Sequence, residues 1–81
     1  MRLRVVAFAR LAEVLGWTRK DVTLPDGAST ADAWAHLEVQ TPALRMLAES
    51  SRMARNGRLI VAPELLEEND ELALLPPAGG G

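Results

Sequence analysis

The sequence predicts an α+β fold, a small roll in which one main helix covers one face of a sheet. Three observations carry that expectation. Short apolar runs with strand-like patterning stand near both ends of the chain, over residues 2–8 and 71–75. A capped, helix-periodic segment occupies the middle and opens on Ser29-Thr30-Ala31-Asp32. Asn56-Gly57 divides two further apolar runs, which is a strong hairpin signal because a type I′ turn needs φ > 0 at both central residues.

Each element follows from its own residues. Arg2-Leu3-Arg4-Val5-Val6-Ala7-Phe8 alternates and then turns apolar, as suits a strand covered on at least one face. Leu11, Val14 and Leu15 come at helical spacing, and Gly16 stands where a left-handed residue ends a short helix. Arg19-Lys20-Asp21-Val22-Thr23-Leu24 reads as a second strand, near enough to pair with the first. Pro25-Asp26-Gly27 is turn chemistry. In the main helix Ala31, Trp34 and Leu37 recur every three residues and form the expected sheet-facing stripe.

Thr41-Pro42 restarts the chain as a cap followed by a proline at the first helical position, and Leu44, Leu47 and Ala48 give a short second helix. Met53-Ala54-Arg55 and Arg58-Leu59-Ile60-Val61 are the hairpin arms. Residues 63–70 form an acidic connection in which Asn69 suits a left-handed conformation. Glu71-Leu72-Ala73-Leu74-Leu75 is the final strand. One helix covers only one sheet face, so apolar residues on the other would mark a partner surface.

Composition narrows the function. A chain of 81 residues holds one modest core, and its 48% hydrophobic and 25% charged residues are those of an ordered globular domain. A net charge of −2 argues against nucleic acid or an anionic membrane as the main partner. Lys20 is the only lysine, and the other basic residues are arginines, suited to planar interface contacts. There is no cysteine, which excludes disulfides, thiolate metal sites and cysteine nucleophiles and favours the cytoplasm for a domain this small. No apolar run is long enough for a membrane span or a secretory segment. His36 is the only histidine and no nucleophile motif accompanies it, so the chain looks too plain to be an enzyme by itself.

Individual residues have ordinary readings. His36 belongs on the solvent side of the helix or in its packing, and Trp34 in the core. Trp17 is divided between core edge and surface. Glu64, Glu67, Glu68, Asp70 and Glu71 lack regular ligand spacing and read as a solvated acidic turn, with Asp70 and Glu71 also available to a basic partner. Phe8 reads as core by default, with an exposed anchor as the alternative. No metal site is expected.

The end of the chain is different. Pro76-Pro77-Ala78-Gly79-Gly80-Gly81 follows the last strand directly. Two prolines end a sheet ladder and favour a stiff, extended exit, whereas three glycines have no side chains to obstruct a narrow channel. Residues 78–81 span about 13 Å when extended, at about 3.3 Å per residue. On composition alone this end reads as a frayed terminus.

The placement of this end on an α+β roll resembles the ubiquitin-like β-grasp sulfur carriers, the MoaD/ThiS family, and within it the small subunits of molybdopterin synthase. Phe8-Ala9-Arg10-Leu11-Ala12-Glu13, Asn56-Gly57, Glu68-Asn69-Asp70-Glu71, Pro76-Pro77 and Gly80-Gly81 carry the likeness over nearly the whole chain. Asn69 stands where the family usually has glycine, and Gly79 where serine or threonine is common. The Pro-Pro element is closer to the molybdopterin branch than to the thiamine-pathway carrier.

The resemblance implies a β-grasp domain over residues 1–75, with a mixed sheet, and a flexible tail over residues 76–81. It further implies that a dedicated activating enzyme uses ATP to adenylate the Gly81 carboxylate, and that a persulfide donor converts it to a thiocarboxylate. The tail, residues Pro76, Pro77, Ala78, Gly79 and Gly80, would then enter the large catalytic subunit, within a heterotetramer, and deliver sulfur to a cyclic pyranopterin precursor. No cofactor is expected on this chain. Phe8, Leu59 and Leu75 match the family's apolar anchors on the open sheet face. A carrier for thiamine or tRNA thiolation, or a ubiquitin-like modifier joined through Gly81 to lysines, would use the same end.

Overall fold

The computed structural model describes residues 1–77, so the expectations for Ala78, Gly79, Gly80 and Gly81 lie outside the described residues. Along the chain run β1 (Arg2–Ala7), α1 (Ala9–Leu15), β2 (Arg19–Thr23), α2 (Thr30–Gln40), a 3₁₀ segment (Pro42–Leu47), β3 (Arg52–Arg55), β4 (Arg58–Leu59) and β5 (Glu71–Leu75). Leu3, Val5 and Ala7 are buried on one face of β1 while Arg2 and Arg4 point the other way, so the period-2 pattern is met.

The strands form one sheet in the order β2-β1-β5-β3-β4. β1 and β5, the first and last strands, lie side by side in parallel at its centre, and every other pair is antiparallel. A five-stranded mixed sheet with a main helix on one face is the ubiquitin-like β-grasp fold. Leu3, Leu11, Leu44, Leu72 and Leu74 are among the largest fully buried side chains, and they close the core between sheet and helices.

Local chemistry sets the element ends. Ser29 caps α2, its hydroxyl accepting from the Asp32 amide at 3.2 Å while Asp32 accepts from the Ser29 amide at 2.8 Å, a complete capping box. Gly16 ends α1 with φ 84°, its amide donating to the Ala12 carbonyl. Asn56 and Gly57 hold φ of 50° and 83°, as a two-residue primed turn requires. Asn69 is left-handed, with φ 68°.

Five expectations need correction. The buried residues of α2 are Thr30, Ala33 and Leu37, whereas Ala31 is exposed and Trp34 only half-buried. A polar residue on the core side hid the true phase. Thr30 is satisfied there because its amide donates to the Glu64 carbonyl and its hydroxyl accepts from the Glu64 amide.

The second helix is 3₁₀: the Leu44 amide donates to Thr41 and the Ala48 amide to Arg45, three residues back, and the Thr41 side chain makes no capping bond. β4 is only two residues long, so Ile60 and Val61 lie outside it. Phe8 is 47% exposed rather than core. Its extended backbone continues the β1 alternation and turns its side chain opposite to Ala7.

The acidic connection is not simply solvated. Arg55 reaches Glu64, Glu67 and Asp70 at 3.3, 2.9 and 2.8 Å, and Asp70 is 6% exposed. Asp70 is thus engaged within the chain and not free for a basic partner. Trp17 and Trp34 both pack against the core from its edge, and Lys20 lies 5.9 Å from the Trp17 ring centroid. His36 is half-buried on α2.

Candidate functional site

The sheet face opposite α2 is built by register. In an antiparallel or parallel pair, facing residues share a side of the sheet. Val6 faces Arg19 on β2 and Ala73 on β5, Ala73 faces Ala54 on β3, and Ala54 faces Leu59 on β4. Because Val5 and Ala7 point to the core, this whole row points away from it. The result is an apolar strip, Val6-Ala73-Ala54-Leu59, running across four strands with Arg19 at its β2 end.

The neighbouring rows differ in chemistry. On one side, Asp21, Arg4 and Glu71 face each other across β2, β1 and β5. Arg2, Leu3, Arg4, Asp21, Asn69 and Glu71 line a depression of about 340 Å³ there. On the other side, Leu75 faces Arg52, and Phe8 stands beside Leu75, its amide donating to the Leu74 carbonyl at 3.2 Å. Beyond Leu75 the chain leaves the sheet at the half-buried Pro76 and exposed Pro77. The apolar rows therefore end where the tail begins.

Phe8, Leu59 and Leu75 are thus brought to one face, with Leu59 54% exposed. Val6, Ala54 and Ala73 complete the strip and were not singled out from the sequence. Their facing direction depends on the β1–β5 pairing between chain ends, although the Arg4, Val6, Phe8 alternation was a usable signal. Gly81, Gly80, Gly79 and Ala78 lie outside the described residues. Among the described residues, no group of three or more His, Cys, Asp or Glu side chains is placed to hold a metal ion, and no helix is long and apolar enough to cross a membrane.

The hairpin supporting β3 and β4 is fixed by charge. The Arg58 guanidinium, opposed by burial and joined by Arg55, holds the Glu64 carboxyl at about 2. Burial pushes the Asp70 carboxyl up, but donation from Asn56, the Glu67 amide and Arg55 outweighs it and leaves Asp70 below the usual carboxylate range. This clamp joins β3 to the loop ahead of β5, and so it sets the strands that carry Leu59 and Leu75. The open face itself offers contact rather than acid–base chemistry.

The ThiS family model matches residues 5–81, from within β1 to the last glycine. The chain belongs to the ThiS family. Among ThiS-like relatives, it is 34% identical over 83 residues to the molybdopterin synthase sulfur carrier subunit of Chlamydomonas reinhardtii, with 100% of both chains covered. To the sulfur carrier subunit of Arabidopsis thaliana it is 27% identical over 81 residues, covering 100% of this chain and 84% of that one. The crystal structure of small archaeal modifier protein 1 (SAMP1) from Haloferax volcanii superposes with a TM-score of 0.84 at 32% identity, covering 100% of each chain. This ThiS-family chain thus resembles both a sulfur carrier subunit and a modifier.

Proposed function

We propose that this chain is the sulfur-carrier small subunit of a molybdopterin synthase and that its working group is the Gly81 carboxylate. The observation that carries the reading is the position of Leu75, which lies in the row beside the apolar strip and hands over directly to the Pro-Pro and Gly-Gly tail. Full-length likeness to two sulfur carrier subunits supports it.

In the proposed sequence, an activating enzyme adenylates Gly81 with release of pyrophosphate, which makes the carboxyl an acyl electrophile. The terminal sulfur of a persulfide donor then attacks that carbonyl and expels AMP to give an acyl disulfide. A second thiol cleaves its S–S bond by exchange, leaving a disulfide on the donor side and a C-terminal thiocarboxylate. That group is anionic and nucleophilic near neutral pH and needs no base from this chain. Gly80 and Gly79 permit close backbone approach in the large subunit's channel. Ala78 extends the reach, and Pro76 and Pro77 reduce the entropy lost on docking. Phe8, Leu59 and Leu75 seat the domain on the partner. The cysteine-free sequence of so small a domain suits a cytoplasmic reaction. The pterin precursor, cyclic pyranopterin monophosphate, is substrate of the complex rather than a ligand of this chain.

A second reading, conjugation of Gly81 to lysines of other proteins, is favoured by the likeness to SAMP1. Intact mass spectrometry of the chain from its native host separates them. An oxygen-to-sulfur increment at Gly81 supports the carrier, conjugates on target lysines support the modifier, and a terminus unmodified throughout growth contradicts both. Deletion separates the pathways: loss of molybdoenzyme activity without a thiamine or tRNA-thiolation defect supports molybdopterin synthesis.

A further inference from the structure

The open face is cationic on an anionic protein. Among the described strand residues, Arg2, Arg4, Arg19 and Arg52 share it with Asp21 and Glu71, although the chain carries a net charge of −2. These charges are not equivalent. Arg4 stands between Asp21 and Glu71 in one cross-strand row, so that row compensates itself. Arg19 and Arg52 have no such neighbour in their rows. Arg19 faces Val6 at the β2 end of the apolar strip, and Arg52 faces Leu75 where the tail departs. Both are exposed, and among the described residues neither joins an ion pair.

We infer that Arg19 and Arg52 are the charge contacts that orient this face on its partner, the large synthase subunit. Its docking surface is apolar at the centre and carries one carboxylate group opposite Arg19 and another opposite Arg52. The inference rests on the proposed function and specifies the partner surface within it. β2 and β3 are three strand spacings apart and the two arginines are one row out of line, so the carboxylates sit roughly 16 Å from each other. That exceeds the Debye length of about 8 Å at physiological ionic strength, so the two contacts act independently. An arginine at the β2 end of the strip and another beside the tail's exit also fix direction: a partner docked in the reverse sense would take the tail away from its channel.

The test is the association rate of the full chain with its cognate large subunit at low and high salt. Arg19→Glu and Arg52→Glu each change the net charge by two, as does Arg45→Glu, which lies on the helix side beside Glu38. Each face variant is expected to slow association about three- to tenfold at low salt, and the double variant by the product. Arg45→Glu stays within about twofold of wild type, and all rates converge at high salt. Equal effects from Arg45→Glu and the face variants, or wild-type rates in both face variants, overturn the inference. Leu59→Asp is the separate control: if it binds as wild type, the apolar-strip reading falls and the inference with it. If Leu59→Asp abolishes binding while the arginine variants behave as Arg45→Glu, the docking face stands and only the charge assignment fails.

Discussion

At the scale of single residues, Asp70 has the most to lose. It accepts from Arg55 Nε at 2.8 Å, Asn56 Nδ2 at 2.8 Å and the Glu67 amide at 2.7 Å while almost fully buried. Asp70→Ala leaves all three donors without their acceptor, and urea titration is expected to show a loss of about 3 kcal/mol. A loss below about 1 kcal/mol contradicts the clamp. The same cluster sets the acid response. Glu64 sits at about 2 and Asp70 below its usual range, so both carboxyls have folded values depressed below unfolded ones near 4. Their stabilisation is complete above about pH 5 and is lost as pH falls towards about 2. The urea midpoint should therefore decline through that window, and less steeply in Glu64→Gln; equal slopes remove Glu64 from the explanation. Gly80 belongs to the proposed tail chemistry: Gly80→Val should leave the urea midpoint unchanged yet stop sulfur transfer, because a branched side chain cannot pass a channel shaped for glycine. Full transfer by that variant ends the narrow-channel argument.

At the scale of elements, local signals were legible and long-range ones were not. Ser29→Ala removes the hydroxyl that caps α2 and should cost about 1 kcal/mol by urea titration. Stability unchanged by that substitution would mean that Asp32 alone holds the helix start. This cap, the Gly16 stop and the Asn56-Gly57 turn are each written within four residues, and all three stand where the sequence placed them. The phase of α2 is not local, because Thr30 becomes a core residue only once Glu64, 34 positions later, supplies its hydrogen bonds. Likewise the acidic loop looks solvated until Arg55 is folded against it. The family likeness pointed to Phe8, Leu59 and Leu75, but the strip between them needed the β1–β5 register.

At the scale of the whole molecule, the parallel pairing of first and last strands explains how a tail can be chemically active yet structurally dispensable. β5 is paired on both edges, to β1 and β3, and Leu72 and Leu74 are fully buried. The sheet is closed by Leu75, and Pro77 is already exposed. Nothing beyond it is needed to satisfy the ladder. A chain ending at Pro77 is therefore expected to unfold at the same urea concentration as the full chain, within about 0.5 kcal/mol, since β5 and its buried Leu72 and Leu74 lie wholly within it. It should still occupy the large subunit through Phe8, Leu59 and Leu75 and compete there with the full chain, while forming no thiocarboxylate. Mixed titrations of truncated and full-length chain then separate docking from delivery: sulfur transfer falls as the truncated form fills the partner. If truncation lowers stability by more than about 1 kcal/mol, residues 78–81 contribute to the fold. If the truncated chain fails to compete, the tail rather than the sheet face supplies the binding energy.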